Sequence, residues 1–186
     1  MKGEKMEEDK EMYQEFLNGN QEAFDRLMEK YQAKLIYFIQ RYVGAVDIAE
    51  DLAQDVFVYI LMNPKQYDFK YSLKTYLYMI GKSRALNYLK REKRIIPLNE
   101  TIIYTDDKEL EDQVFSKEKS QNLKKAIDTL PLHYQTAIYL ADMEELSYKE
   151  IADIMEISLS QVRVLIHRAR KKLTQIVKKE VEIYAE

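Results

Sequence analysis

Residues 147–173 read SYKEIADIMEISLSQVRVLIHRARKKL, and this stretch decides how the second half of the chain folds. Ser147 is followed three residues later by Glu150, and Ser158 by Gln161, which is the spacing of capping boxes at the starts of two helices. The first helix has room for about two turns before the second begins. A short helix, a short turn and a longer helix predict a helix-turn-helix, with a generic helical hairpin as the alternative.

The second helix of this pair is basic. Between Ser158 and Leu173 it contains no acidic residue, although the whole chain has a net charge of -3. At about 100° per residue, one side of this helix is apolar and suits packing on the domain. We expect the opposite side, called the reading face, to meet DNA. On that side lie Ser160, Gln161, Val164, His167, Arg168 and Lys171, and the reading face also includes the neighbouring cations Arg163 and Lys172.

The side chains of the reading face suit contacts with a DNA duplex. Hydroxyl and amide groups near the start of the helix can bond to base edges, and Val164 can contact a thymine methyl group. The planar guanidinium of Arg168 matches guanine, while Lys171 and Lys172 suit phosphates. A solvated charged surface is the alternative, but the absence of acids together with the capped start favours DNA.

The first half of the chain predicts three helices, so the expected fold class is all-α. Apolar residues recur at three- and four-residue spacing over residues 21–42. A second helix covers residues 46–62 and stops before Asn63-Pro64, because the residue before a proline is biased out of the helical conformation. A third covers residues 72–94. Residues 95–119 are acidic with little apolar periodicity, which is typical of a linker.

The helix over residues 46–62 is acidic on one side. This acidic face consists of Asp47, Glu50, Asp51, Gln54 and Asp55. An apolar seam of Ile48, Leu52, Val56 and Ile60 lies on the other side. Because an acidic surface repels DNA, the acidic face is either simply solvated or docks a basic protein surface.

The helix over residues 72–94 carries a basic face that mixes cationic, amide, hydroxyl and aromatic groups. Its residues are Tyr76, Ser83, Arg84, Asn87, Lys90, Arg91 and Arg94. Before it lies the aromatic loop, residues 65–71, with Tyr67, Phe69 and Tyr71. Aromatic rings in such a place can stack on unpaired bases, each contributing about 1–3 kcal/mol. Ordinary packing under a loop is the alternative for each ring, and the combination suggests single-stranded nucleic acid.

Composition excludes several classes of protein. The chain has no cysteine and only two histidines, and it lacks a glycine-rich phosphate loop. We therefore expect no enzyme activity, no cofactor and no metal site. No apolar run approaches the 18 or so residues of a membrane span, so we expect a cytoplasmic protein without membrane insertion.

Three stretches together resemble the extracytoplasmic-function group of bacterial RNA polymerase sigma factors. They are DIAEDLAQDVFVYIL (residues 47–61), YLYMIGKSRALNYLKREKR (residues 76–94) and LPLHYQTAIYLADMEELSYKEIADIMEISLSQVRVLIHRARKKL (residues 130–173). The resemblance covers residues 21–173, and the three motifs agree with the family in order, spacing and charge. A stand-alone helix-turn-helix regulator is the alternative function, but it would leave the acidic and basic faces of the first half without partners.

The resemblance implies a division of labour between two domains. Residues 1–94 would bind the β′ clamp helices of core RNA polymerase through the acidic face, and would recognise and open the minus-ten promoter element. Residues 120–186, after the linker at 95–119, would bind the minus-thirty-five element and the β flap. It also implies an anti-sigma partner. Ser83, Asn87, Val164 and Leu165 depart from the usual residues of the family, and Glu156 replaces its turn glycine.

Overall fold

The structure is a computed structural model that describes residues 2–95 and 123–183, and the side chains of residues 7–92 and 123–178 within them. All regular structure in these ranges is helical, and the chain divides into two compact units, so the predicted all-α fold with two domains is confirmed. Apart from Ile95, the predicted linker lies outside the described residues. None of the described helices is both long and apolar enough to cross a membrane.

The helices of the first domain are α1 (Lys2–Leu17), α2 (Gln21–Val43), α3 (Val46–Met62) and α4 (Leu73–Ile95), with a 3-10 turn (Pro64–Gln66) after α3. The second domain contains α5 (residues 123–128), α6 (Leu132–Ile138), a π-helical turn (Tyr139–Met143), α7 (Tyr148–Met155) and α8 (Leu159–Ile183). The sequence predicted α2, α3 and α4 to within one residue at each end.

Helix α2 is the centre of the first domain and packs against α1, α3 and α4. Its periodic apolar residues are buried as predicted except Met28, which is half-buried, and Leu35, Phe38 and Ile39 are at most 1% exposed. Gly81 of α4 lies against this stripe, where an added Cβ would be 2.9 Å from Leu35 Cδ1. A glycine at this position therefore lets α4 approach α2 closely.

Helix α1 is an element that the sequence did not predict. Its charged residues obscure a short apolar stripe of Met12, Tyr13 and Phe16, all of which are buried. Asp9, which is 4% exposed, accepts hydrogen bonds from the Tyr31 hydroxyl and, at 2.7 Å, from Lys30 Nζ. This paired carboxylate fixes α1 to α2, because a buried charge is tolerated only when it is hydrogen bonded or paired.

The buried side of α3 is rotated slightly from the predicted seam. Val56 and Ile60 are buried as expected, together with Ala49, Ala53 and Phe57. Ile48 and Leu52 are only half-buried. The small side chains of the two alanines bring α3 close to its neighbours, so the interior lies on their side of the helix.

The predicted helix-turn-helix is formed by α7 and α8. Ser147 Oγ accepts from the Glu150 backbone N–H and the Glu150 carboxylate accepts from the Ser147 N–H, which completes the first capping box. Ile151, Ile154, Val162 and Ile166 fill the interior beneath the turn, each at most 1% exposed.

The turn between α7 and α8 has a left-handed residue at its centre. Glu156 has φ 58° and ψ 43°. Its backbone N–H donates to the Ala152 carbonyl, which ends α7. A residue with a Cβ costs about 1–2 kcal/mol in this conformation, which is why glycine is common at such helix ends.

Replacing Glu156 with glycine should therefore raise the stability of the second domain by about 1 kcal/mol, because glycine adopts the left-handed conformation without a steric cost. Ala152→Gly is the matched control. It lies in the right-handed turn before Glu156, so glycine there should lower stability by about 0.5–1 kcal/mol. Thermal unfolding followed by circular dichroism measures both, and a lower unfolding temperature for Glu156→Gly would contradict the expected strain.

Candidate nucleic-acid interface

The start of α8, called the recognition helix, is held by the second predicted capping box. Ser158 N–H donates to Gln161 Oε1 at 2.8 Å, and Gln161 N–H donates to Ser158 Oγ at 3.2 Å. The inward residues Val162, Ile166 and Ala169 are at most 1% exposed. All eight residues of the reading face are exposed, and Val164 is 48% exposed. The fold therefore displays the reading face to solvent.

A groove of about 340 Å³ runs beside the reading face. It is lined by His133 and Tyr134 from the first turn of α6 and by residues of the recognition helix, among them Val164, Leu165 and Arg168. Sequence reasoning missed His133 and Tyr134, because nothing in their own spacing shows that α6 packs along α8.

Arg170 belongs to the basic run of the recognition helix, but its contacts are structural. Its Nε donates to Asp142 Oδ2 at 3.2 Å, and its Nη2 donates to Asp142 Oδ1. These hydrogen bonds raise the pKa of Arg170 above its ordinary value. Because Asp142 lies in the π-helical turn, the ion pair joins that turn to α8. The other cations of the basic run, Arg163, Arg168, Lys171 and Lys172, are exposed.

The acidic face of α3 is fully displayed. Its five polar residues are all exposed, and among the described residues none of them forms a hydrogen bond or ion pair. The same face becomes apolar toward the end of the helix, where Val58, Leu61 and Met62 are 55%, 40% and 74% exposed. Sequence reasoning missed this apolar end, although Asp51, Asp55, Val58 and Met62 recur at the spacing of a single helical face.

The basic face of α4 points to solvent along most of its length. Ser83, Asn87, Lys90 and Arg91 are exposed. The guanidinium carbon of Arg84 lies 5.5 Å from the centre of the Tyr59 ring, a cation–π arrangement that holds this side chain against α3. The side chain of Arg94 lies outside the described residues.

The sequence predicted that the ring of Tyr67 in the aromatic loop is free to stack on bases, but the structure buries this ring. It is 5% exposed, and its hydroxyl donates to the Tyr71 carbonyl at 2.7 Å. Burial raises the pKa of Tyr67 above its ordinary value. Its ring stacks on that of Tyr76, with 5.1 Å between centroids, and the outer ring of this pair is half-buried. Tyr67 therefore supports Tyr76 from behind.

The other two aromatic residues of the loop are partly exposed. Phe69 has φ 59°, and its ring contacts that of Tyr67 at 4.6 Å between centroids. The Lys70 ammonium lies 5.2 Å from the centre of the Tyr71 ring. Backbone strain at a non-glycine residue is maintained only where packing holds it, and such residues cluster at functional sites.

A helix-turn-helix with a basic outer surface defines the class of this chain, the helical DNA-binding proteins. The exposed acidic face adds a requirement that DNA cannot meet, because carboxylates repel phosphates. The fold therefore displays two basic surfaces suited to DNA and one acidic surface that is not.

Two family models match the chain, Sigma-70 region 2 over residues 27–95 and Sigma-70, region 4 over residues 120–173. The ECF RNA polymerase sigma factor SigW of Bacillus subtilis is 30% identical over 166 residues, which cover 83% of this chain and 89% of that protein. The ECF RNA polymerase sigma-E factor of Haemophilus influenzae is 30% identical over 177 residues, covering 89% and 93%.

The chain therefore belongs to the extracytoplasmic-function sigma factors of bacterial RNA polymerase. It is a transcription initiation factor that binds core RNA polymerase and directs it to specific promoters. The match to region 2 as well as region 4 favours this function over a stand-alone regulator, which would account only for the helix-turn-helix.

Two solved structures share the fold. The sigma factor RpoE from Bartonella quintana, in complex with the anti-sigma factor NepR, aligns with a TM-score of 0.63 at 21% identity, covering 83% of this chain and 96% of that one. CnrH, in complex with the cytosolic domain of CnrY, aligns with a TM-score of 0.66 at 18% identity, covering 92% and 98%.

Arg168 and Lys172 are predicted to contribute differently to promoter recognition. Arg168→Ala should cost about 1–3 kcal/mol and relax the preference at one base pair of the upstream element, whereas Lys172→Ala should weaken all sequences alike. Transcription by the reconstituted holoenzyme from a library of upstream-element variants separates the two effects.

The matched control for these variants is Arg170→Ala. It removes an arginine side chain from the same helix, but the guanidinium of Arg170 is bound to Asp142. It should leave base preference unchanged and alter stability by about 0–1 kcal/mol, as is usual for exposed ion pairs. A uniform loss for both Arg168→Ala and Lys172→Ala would make Arg168 a phosphate contact.

Proposed function

We propose that the three displayed surfaces carry three separate steps of promoter binding by the holoenzyme. The acidic face binds the clamp helices of the polymerase β′ subunit. The basic face and the aromatic loop recognise and open the minus-ten element, and the reading face binds the minus-thirty-five element. The observation that carries this proposal is the placement of an unpaired acidic face and a basic face on adjacent helices, α3 and α4, of one domain.

The acidic face is suited to a basic helical partner. Its carboxylates are exposed, so they are available to pair with cations across an interface. The apolar end formed by Val58, Leu61 and Met62 adds area that gains free energy when a partner covers it. Charge would then direct and orient the encounter, while the apolar end would contribute affinity.

The basic face and the aromatic loop are suited to an unpaired strand. Lys90 and Arg91 can contact phosphates, and Ser83 and Asn87 can bond to the edge of a base that has left the stack. Tyr76 is the stacking platform, because its ring is half-buried and rests on Tyr67. A base on the outer surface of Tyr76 would extend an existing stack of two rings.

The reading face is suited to the major groove of the upstream duplex. Ser160 and Gln161 at the capped start of the recognition helix are exposed, and because Gln161 Oε1 accepts from Ser158 N–H, its amide nitrogen is the group left for a base edge. Lys171 and Lys172, about three turns further on, suit the flanking phosphates. His133 and Tyr134 border the same surface across the groove beside the recognition helix, so they can contact the DNA at its edge. The β flap is proposed as the polymerase contact of this domain.

An anti-sigma factor is proposed as a further partner of this chain. The sigma factor RpoE, which shares the fold, was solved in complex with the anti-sigma factor NepR. The exposed surfaces that serve polymerase are the ones whose coverage would stop initiation. A copurified protein that blocks binding to core polymerase would support this partner.

The docking role of the acidic face predicts the effect of reversing its charge. Asp51→Lys together with Asp55→Lys should weaken binding to core polymerase by at least about tenfold, because like charges would then oppose the basic partner. Folding should be unaffected, since exposed charge changes usually alter stability by less than about 0.5 kcal/mol. Fluorescence titration of labelled protein with core enzyme gives the affinity.

Asp25→Lys with Glu29→Lys provides the matched control. These two exposed carboxylates have the same spacing on α2, but lie on another helix. The control should bind core polymerase far better than the α3 variant. Equal affinities for the two double variants would remove the acidic face from the interface.

The stacking role of Tyr76 predicts a difference between two substitutions. Tyr76→Phe keeps the aromatic surface and should retain open-complex formation, whereas Tyr76→Ala should lose about 1–3 kcal/mol of stacking and slow opening on duplex promoters. On a promoter with a pre-opened bubble, the Tyr76→Ala variant should partly regain open-complex formation. Permanganate reactivity of unpaired thymines measures opening, and equal defects in both variants would show that the hydroxyl, not the ring, is the functional group.

A further inference from the structure

The phenol of Tyr13 joins α1 to the start of the aromatic loop. Its hydroxyl donates to the carbonyl of Pro64, the residue before the loop, at 2.9 Å. The residue is 1% exposed, and burial raises the pKa of Tyr13 above its ordinary value, so the hydroxyl keeps its proton and remains a donor. The two residues are 51 positions apart in the chain, so the contact links two distant segments.

The ring of Tyr13 packs against the loop as well. It meets Tyr67 edge-on with 4.8 Å between centroids, and Phe69 edge-on at 5.8 Å. Tyr67 in turn stacks on Tyr76, the proposed platform for an unpaired base. A chain of ring contacts therefore runs from α1 through the loop to the basic face, and each such contact contributes about 0.5–1.5 kcal/mol beyond burial.

The position of Tyr13 is itself firmly held. One turn earlier on the same side of α1, the buried carboxylate of Asp9 accepts hydrogen bonds from Lys30 and Tyr31 of α2. Phe16, one turn later, packs on Phe24 of α2 at 4.7 Å between centroids. Anchors on both sides make Tyr13 a fixed point against which a loop can be positioned.

We propose that α1, through Tyr13, is the element that positions the aromatic loop for the minus-ten element. Helix α1 lies before the residues that the region 2 family model matches, which begin at 27. The aromatic loop lies within the matched residues, but the helix that we propose positions it does not. Tyr13 acts as a positioning residue, because it is buried and reaches DNA only through Tyr67, Phe69 and Pro64. The link to DNA rests on the proposed function of the loop.

The positioning is needed because the loop is strained. Phe69 has a positive φ, which a bulky residue adopts only under constraint from its surroundings. The described contacts that constrain its ring come from Tyr13 and Tyr67. Without the tie from Tyr13, the loop is free to relax toward conformations in which Tyr67 no longer supports Tyr76.

The experiment compares Tyr13→Phe with Tyr42→Phe in the full chain. Tyr13→Phe keeps the ring and removes the hydroxyl that donates to Pro64. Tyr42→Phe likewise removes one hydroxyl from a buried tyrosine of the same domain, on α2, where the ring packs on Phe38. Hydrogen exchange at the Gln66 and Lys70 amides, which are bonded to Asn63 O and Asp68 Oδ1, measures the order of the loop directly.

Tyr13→Phe should speed exchange at these two amides by about two- to tenfold, the range that corresponds to the net contribution of one hydrogen bond. Tyr42→Phe should leave their exchange close to that of the unchanged protein. Equal exchange in the two variants overturns the positioning role, whatever happens at promoters.

A second measurement connects the loop to DNA. Holoenzymes with Tyr13→Phe, Tyr42→Phe or Tyr71→Ala are tested on a library of minus-ten variants. Selective weakening of base preference by Tyr13→Phe and Tyr71→Ala, but not by Tyr42→Phe, supports the inference. If Tyr71→Ala changes the preference and Tyr13→Phe does not, the inference is overturned while the proposed function stands. If Tyr71→Ala has no effect, the proposed function of the loop fails, and hydrogen exchange alone decides the role of Tyr13.

Discussion

Burial of the apolar stripe of α2 is the constraint on which the first domain depends. Leu35, Phe38 and Ile39 are almost completely removed from solvent, and full burial of each such side chain contributes about 1.5–3 kcal/mol. Because α1, α3 and α4 all pack on this one helix, their inward sides are committed to the core. Only their outward sides are left for function, so α3 can be acidic and α4 basic without any change to the interior.

The separation of charge on α3 and α4 has a physical benefit. An acidic and a basic side chain that paired with each other within the domain would neutralise both binding surfaces. Arg84, a basic residue near α3, instead forms a cation–π contact with the Tyr59 ring. The carboxylates of the acidic face thus remain exposed, and the two surfaces are available to the partners of opposite charge that we propose for them.

Much of this arrangement could be predicted from the sequence, because helix periodicity and capping are local signals. The spacing of Ser147 to Glu150 and of Ser158 to Gln161 located both helices of the helix-turn-helix, and the left-handed Glu156 lies where a glycine is usual. Helix α1 was missed because its apolar stripe is only three residues long among many charges. The burial of Tyr67 and the nearness of His133 to the recognition helix were also missed, since both depend on contacts between residues far apart in the chain.

The apolar end of the acidic face has a consequence for the cell that makes this protein. Met62 and Val58 present hydrocarbon to water whenever no partner covers α3. Exposed apolar surface of this kind promotes association with unrelated proteins. In the docking that we propose, polymerase covers this surface, so a copy that exceeds the supply of polymerase would keep it exposed. Synthesis of the chain is therefore best matched to the number of polymerase molecules or of covering proteins, because surplus copies are the ones most prone to aggregation and to capture by the quality-control machinery.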